Sequence, residues 1–210
     1  MHGVPGNSYG YFRFTKCFVW GKYYKHFYIK HKAEPNQFIV SGSIFHHAIL
    51  NQKNIPAKSP DIDILYAMDG DVTGYKEVFS VLEKLSQQYR IRIKQHPRYK
   101  TVVPNTLKET DADIITAIRM SRLVIGHFTT ALLDASVLKI NVLSYLGGMP
   151  EKRKYVNYLT NDQIAFSPPE LEKRIFETMN KNDQTAPGNI YCDFIDMKKI
   201  PLEVIANEIS

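Results

Sequence analysis

Between about Asp61 and Asn182 the apolar residues fall into short solid runs that alternate with longer stretches of helical spacing. Ile62 to Ala67 is a run of strand length, followed by a glycine-containing loop and a helical pattern from about Tyr75 to Gln88. Tyr89 to Lys94 reads as the next strand, stopped by Pro97. Asp113 to Met120 is helical, and Leu123-Val124-Ile125 is a short strand ended by Gly126. A helix over Thr129 to Leu138, a strand over Asn141 to Leu146, a short strand at Ile164-Ala165-Phe166 and a helix over Pro168 to Asn180 complete the series. Short apolar strands alternating with helices predict an α/β fold, a doubly wound parallel sheet of Rossmann-like type with helices on both faces.

The first part of the chain is less regular. Residues 1–16 are rich in Gly, Tyr and Phe without a sustained period and read as a connecting segment. Cys17 to Trp20 is strand-like, and Tyr24, Phe27, Tyr28 and His31 recur at helical spacing. Gln37 to Val40 reads as a strand, after which Ser41-Gly42-Ser43 supplies a turn and a helix cap. The proline-containing stretch from Asn51 to Pro60 is the expected boundary loop. The expected organisation is a nucleotide-binding domain over residues 17–185 with its core at 61–182, and a C-terminal tail or helix over 186–210.

Composition narrows the class. At 210 residues, 44% hydrophobic and 23% charged, the chain can hold one well-cored domain and an appendage. No apolar run nears the roughly 18 residues of a membrane span, and Met1 to Gly6 lacks the pattern of a signal peptide. Only Cys17 and Cys192 are present, so a reducing cytoplasmic compartment is the expectation. The net charge of +6 suits anionic partners without choosing among them. No Walker loop, Gly-x-Ser-x-Gly elbow or Gly-x-Gly-x-x-Gly fingerprint occurs, and nucleic-acid binding finds no recognised motif.

In open α/β sheets ligands bind beyond the carboxyl ends of the strands, and three loops at such ends carry polar residues. In Lys94-Gln95-His96-Pro97-Arg98, the His96 imidazole can donate to a phosphate oxygen, and Lys94 or Arg98 can add charge; the same residues also suit an ordinary strand terminus. In Gly126-His127-Phe128-Thr129-Thr130, a strand runs into a helix whose first turn offers free N–H groups and two hydroxyls to an anion. Asp134 lies four residues beyond Thr130, about 6 Å further along the same face, where a carboxylate could hold ribose hydroxyls. A plain N-cap followed by a surface Asp is the alternative. In Met68-Asp69-Gly70-Asp71, Gly70 would let backbone approach a ligand, although a simple turn also fits. Asp69-Gly70-Asp71 matches an Asp-any-Asp metal motif only by short spacing. His46 and His47 are adjacent and face different directions, so they cannot chelate together. The basic, aromatic stretch from Trp20 to Lys32 suits a membrane surface or docking on a neighbouring domain.

His96-Pro97, then Thr129-Thr130 and Asp134, resembles the C-terminal, donor-binding half of GT-B glycosyltransferases. The pattern is similar to bacterial capsule and lipo-oligosaccharide enzymes, including sialyl- and polysialyltransferases, and to teichoic-acid glycerophosphotransferases. Val19-Trp20-Gly21 and Ile39 to Ser43 resemble the start of that half, and His2-Gly3 the tail of an "HG" turn ending the other half. In place of the usual Ser-Ser pair stand Thr129 and Thr130, which keep the hydroxyls.

The resemblance implies a glycosyltransferase using a CMP- or other nucleotide-sugar donor and a glycan or glycolipid acceptor in capsule or lipopolysaccharide synthesis. It implies no cofactor and no metal, and a cytoplasmic location with peripheral contact at the inner face of the membrane. His96, Pro97, Thr129, Thr130, Asp134 and Gly70 would bind the nucleotide, with His96 and His2 as the catalytic residues. A complete enzyme of this fold has two such domains, so the acceptor-binding half is expected outside these residues. A nucleotide-sugar 2-epimerase of the same fold and a non-catalytic nucleotide-binding fragment are the alternatives.

Overall fold

The computed structural model describes residues 15–31, 33–51, 61–70, 74–181 and 191–209. His2, Gly3, Asp71 and the connecting segment up to residue 14 lie outside them. Packing divides the chain into two units, residues 1–53 with 188–210, and residues 54–187.

The first unit begins with β1 (Cys17–Val19), α1 (Lys22–Lys30), β2 (Phe38–Val40) and α2 (Ile44–Asn51). β1 and β2 pair in parallel, Cys17 beside Phe38, as a two-stranded sheet of their own. Tyr28 of α1 stacks on Phe38 with ring centroids 4.9 Å apart. α2 starts where the turn residues place it, because the Ser43 hydroxyl accepts the His46 N–H at 3.3 Å.

The second unit is one six-stranded, wholly parallel sheet. Its elements are β3 (Ile62–Ala67), α3 (Tyr75–Leu85), β4 (Ile91–Lys94), β5 (Lys108–Glu109), α4 (Ile114–Arg119), β6 (Ser121–Gly126), α5 (Thr130–Val137), β7 (Asn141–Tyr145), β8 (Ile164–Ala165) and α6 (Pro168–Asn180). The strand order is β5-β4-β3-β6-β7-β8, the arrangement of the doubly wound dinucleotide fold. Ile64 and Tyr66 point to one face, under Val78, Phe79 and Leu82 of α3 and Leu171 and Ile175 of α6, and α3 touches α6. On the other face α4 touches α5. The solid apolar runs follow from this, since a strand covered on both faces has no polar side to show: every residue of β3 is buried. Burial holds the layers together, and truncating a wholly buried leucine such as Leu82 costs about 2–5 kcal/mol.

Helix starts are set by side chains. The Asp113 carboxylate accepts the N–H groups of Ile115 at 3.1 Å and Thr116 at 3.0 Å, and its bonds at Thr116 hold its pKa below the usual value. Ser167 caps α6, with Pro168 and Pro169 filling positions that need no donor.

The first unit is completed by α7 (Tyr191–Phe194) and α8 (Pro201–Ile209). Tyr23 stacks on Phe194 at 4.4 Å, and the Asp196 N–H donates to the Trp20 carbonyl at 2.8 Å. Residues 17–51, read as the opening of a domain over 17–185, thus pack with the stretch read as a tail, because β1 and β2 pair with each other and not with the larger sheet. The helix expected to reach Gln88 stops at Leu85, and the strand expected from Tyr89 begins at Ile91. β5 has no counterpart in the sequence reading, since its two exposed residues show no apolar pattern. No helix among the described residues is long and apolar enough to cross a membrane.

Candidate functional site

β3 and β6 lie side by side, but the chain leaves β3 toward β4 and leaves β6 toward β7, on opposite sides of the sheet. Their carboxyl ends therefore diverge, which opens a crevice at the switch point. The loops after β3, β4 and β6 are the three singled out from sequence.

Asp69, just beyond β3, closes the crevice floor. Its Oδ2 accepts the backbone N–H of Phe128 at 3.0 Å and of His127 at 3.2 Å, 59 and 58 residues away. The Thr129 hydroxyl donates to the same carboxylate. Burial pushes the Asp69 carboxyl up to about 6, and these three donors act in the other direction without cancelling the rise. Thr129 also accepts the Ala131 N–H at 3.3 Å as the N-cap of α5, so one hydroxyl joins the β3 loop to the helix. Gly126 makes the approach possible. A Cβ there would lie 2.7 Å from the Thr129 methyl and 3.2 Å from the Ala67 carbonyl oxygen.

His127 is wholly buried beneath this turn. Its Nδ1 lies 2.8 Å from the Tyr145 carbonyl, which can only accept, so Nδ1 carries the proton. Nε2 then accepts from the Tyr66 hydroxyl at 2.7 Å. Burial lowers the imidazole to about 4, so it stays neutral near pH 7. The Ser144 hydroxyl donates to the His127 carbonyl, and the Tyr145 hydroxyl to Glu77.

The β4 loop is pinned from within. His96 Nδ1 accepts the Arg98 N–H at 3.2 Å, the Tyr99 N–H donates to the His96 carbonyl at 3.3 Å, and the Gln95 side chain accepts the Thr101 N–H at 2.8 Å. With Nδ1 accepting, Nε2 of a neutral His96 bears the hydrogen and can donate to a ligand. Gly70 sits against this loop, where a Cβ would come within 2.5 Å of the Tyr99 ring and 3.4 Å of His96 Nδ1. A cavity of about 450 Å³ opens between the two loops, lined in part by Asp69, Tyr75, Arg98, Tyr99, Lys100 and Thr101.

The structure therefore brings His96 to Gly70, and Thr129 to Asp69. Pro97 is exposed in the turn after β4 and Thr130 is exposed at the first position of α5, whereas Asp134 is buried along the same helix. Lys94, expected to lend charge to a ligand, instead donates to the Thr110 carbonyl at 3.4 Å. The sequence reading missed Asp69 as an anchor of the β6 turn, together with His127, Tyr66 and Lys100. The partners of Asp69 lie too far along the chain for any local pattern to reveal them. Among the described residues no group of three His, Cys, Asp or Glu side chains is placed to hold a metal.

No family model matches the chain, and no curated protein matches it in sequence. Solved structures do match in fold. The UDP-GlcNAc 2-epimerase of Methanocaldococcus jannaschii, in complex with UDP-GlcNAc and UDP, aligns over 93% of this chain and 61% of its own, with TM-score 0.65 and 15% identity. The wall teichoic acid polymerase TagF aligns over 93% of this chain and 58% of its own, with TM-score 0.60 and 15% identity. A putative UDP-N-acetylglucosamine 2-epimerase from Listeria monocytogenes aligns over 82% and 55%, with TM-score 0.51 and 13% identity. This chain spans less than two thirds of each. All are GT-B-like enzymes, and the chain shares with them the doubly wound α/β fold of one GT-B half.

Proposed function

We propose that this chain is the donor-binding half of a metal-independent GT-B glycosyltransferase, using a CMP- or other nucleotide-activated sugar. The observation that carries the reading is the crevice between β3 and β6, which gathers His96, Gly70 and the Thr129-Thr130 turn at the switch point. The setting is synthesis of a bacterial capsule or lipopolysaccharide, with a glycan or glycolipid acceptor at the inner membrane face. That setting rests on the motif resemblance to sialyl-, polysialyl- and glycerophosphotransferases.

In the proposed reaction an acceptor hydroxyl gives its proton to a base and its oxygen attacks the anomeric carbon. The bond from that carbon to the nucleotide phosphate breaks, and its electron pair leaves on the phosphate oxygen. His96 Nε2–H and the Thr130 hydroxyl and N–H would stabilise that developing charge, with Pro97 shaping the loop. Asp134 would hold the ribose, and His2 is the base that the motif resemblance offers. Asp69 already occupies the N–H groups of His127 and Phe128, so the phosphate would use the outer side of the turn, at Thr130.

Calorimetric titration with CMP, CDP and UDP, with and without EDTA, tests the site. Thr130→Val should weaken nucleotide binding by roughly 1.5–3 kcal/mol, the worth of a hydrogen bond to a charged group, and leave the nucleoside nearly unaffected. Asp134→Asn should weaken both, and a 2′-deoxynucleotide less than a ribonucleotide. No binding by any of the three nucleotides, or loss with EDTA and return with manganese, overturns the reading. The 2-epimerase match favours a second reading, nucleotide-sugar epimerisation, which would give product without an acceptor.

A further inference from the structure

We infer that the first unit is the margin of a second parallel sheet, and that β1, β2 and the exposed face of α2 seat further βα elements encoded upstream of residue 1. That seat belongs to the first unit and the donor site to the second, so the two stand or fall separately. Each unit opens with the same device, two parallel strands joined by a crossover helix. In the second unit every residue of β3 is buried, and α3 buries Val78, Phe79, Val81, Leu82 and Leu85. In the first, β1 and β2 each bury one residue of three, and α1 buries none of its nine. Parallel strands need cover on both faces and further strands beside them. Among the described residues β1 and β2 pair only with each other.

Apolar surface is distributed accordingly. Of the ten large apolar side chains exposed among the described residues, seven belong to the smaller unit, including Trp20, Ile44, Phe45 and Leu50. Ile44 and Phe45 stand half exposed in the first turn of α2. Consecutive strands of a sheet tend to lie side by side. After β2 the chain passes into the six-stranded sheet, and among the described residues it returns to the first unit only as α7 and α8. Strands that continue the β1–β2 sheet therefore precede β1. The sixteen residues ahead of β1 are about the length that one crossover connection takes by itself. The fold matches point the same way. Alignments over 93% of this chain take in the first unit with the second, yet span only 61% and 58% of the matched chains.

The test is amide hydrogen exchange on the full chain, alone and with the polypeptide encoded immediately upstream, joined to it or co-expressed as the gene dictates. Alone, β1 and β2 should exchange roughly a hundredfold or more faster than β3 and β6. With the upstream polypeptide they should slow by a similar factor. The Ile44→Asp/Phe45→Asp variant should lose that slowing while the circular dichroism of the chain alone stays unchanged. The conservative pair Ile44→Val/Phe45→Leu should keep it, as should Val102→Asp, an exposed position of the second unit. β1 and β2 already as protected as β3 in the chain alone would mean that the chain's own residues complete the unit, and would overturn the inference. So would an upstream region that encodes no further polypeptide, or slowing that survives the Ile44→Asp/Phe45→Asp variant. A dimer of this chain that gives the same protection would make a second copy the occupant and overturn it equally.

Discussion

β3 carries a carboxylate near its start and another just past its end, and the two live under opposite conditions. Asp63 accepts the Arg90 backbone N–H at 2.8 Å and its guanidinium at 3.0 Å, with Arg122 at 3.7 Å. The hydrogen bond from the Arg90 side chain leads the effects that hold its carboxyl below the usual range. Asp69 meets only neutral donors, and burial takes its carboxyl up to about 6. The amino end of the sheet is closed by full charges in pairs. The carboxyl end is closed at Asp69 by amides and a hydroxyl. That division is how an α/β sheet separates holding together from binding.

The most forceful way to break the contrast is to remove what shapes the Asp69 seat. His127→Leu would leave the Tyr66 hydroxyl and the Tyr145 carbonyl buried without partners, at about 1–3 kcal/mol each. Denaturant unfolding should show a loss of roughly 2–6 kcal/mol, and nucleotide binding should fall with it. A loss within experimental error would mean that water enters and that the turn is not built on this histidine.

A sharper test uses pH. The raised Asp69 carboxyl holds a proton in the native state that the unfolded chain releases between about 3.8 and 6. This group therefore favours folding in acid, and that contribution is lost as pH rises through 6. His127 acts oppositely: with its pKa lowered from 6.5 to about 4, its contribution is present above 6.5 and lost as pH falls toward 4. In wild type the two largely offset. Asp69→Asn should uncover the histidine, so that stability falls by roughly 3 kcal/mol between pH 6.5 and 4, at about 1.4 kcal/mol per unit. Asp63→Asn should leave that window unchanged and flatten the profile only below the ordinary carboxylate range, where the native Asp63 is lost. Parallel profiles for all three proteins would remove the distinction between the two ends.

The smallest expected effect is at Gly70. Gly70→Ala must push aside the Tyr99 ring, which is 54% exposed and free to swing outward. Thermal melting should change by less than about 1 kcal/mol, while affinity for a ligand filling the cavity drops measurably. A large stability loss with unchanged binding would place Gly70 in the framework instead of the site.

Much of the second unit was legible along the chain because its signals are local. Buried runs marked β3, β6 and β7, and Thr129 caps α5 at the turn where the sequence offered an N-cap. His96, Gly70 and the Thr129-Thr130 turn could be placed at the carboxyl end of the sheet from sequence because strand ends and helix starts announce themselves. The rest depends on partners remote in sequence. Nothing near Asp69 says that its donors lie at His127 and Phe128, and nothing near His127 says that it is buried between two tyrosines. β5 exists only because β4 accepts it at an edge, and the packing of residues 17–51 with 191–209 joins opposite ends of the chain.

Gly126 sets the manufacturing tolerance of this site. The clearance between the Ala67 carbonyl and the Thr129 methyl is less than one carbon atom requires, so the gap between the end of β3 and the start of α5 is at its lower limit. Of the bonds from the His127 and Phe128 amides to Asp69, the first, at 3.2 Å, is at the long end of useful length and the second, at 3.0 Å, is ordinary. A single added methyl group would press on the gap that both bonds span. The dimension on which the crevice depends is thus fixed by an atom that is not there.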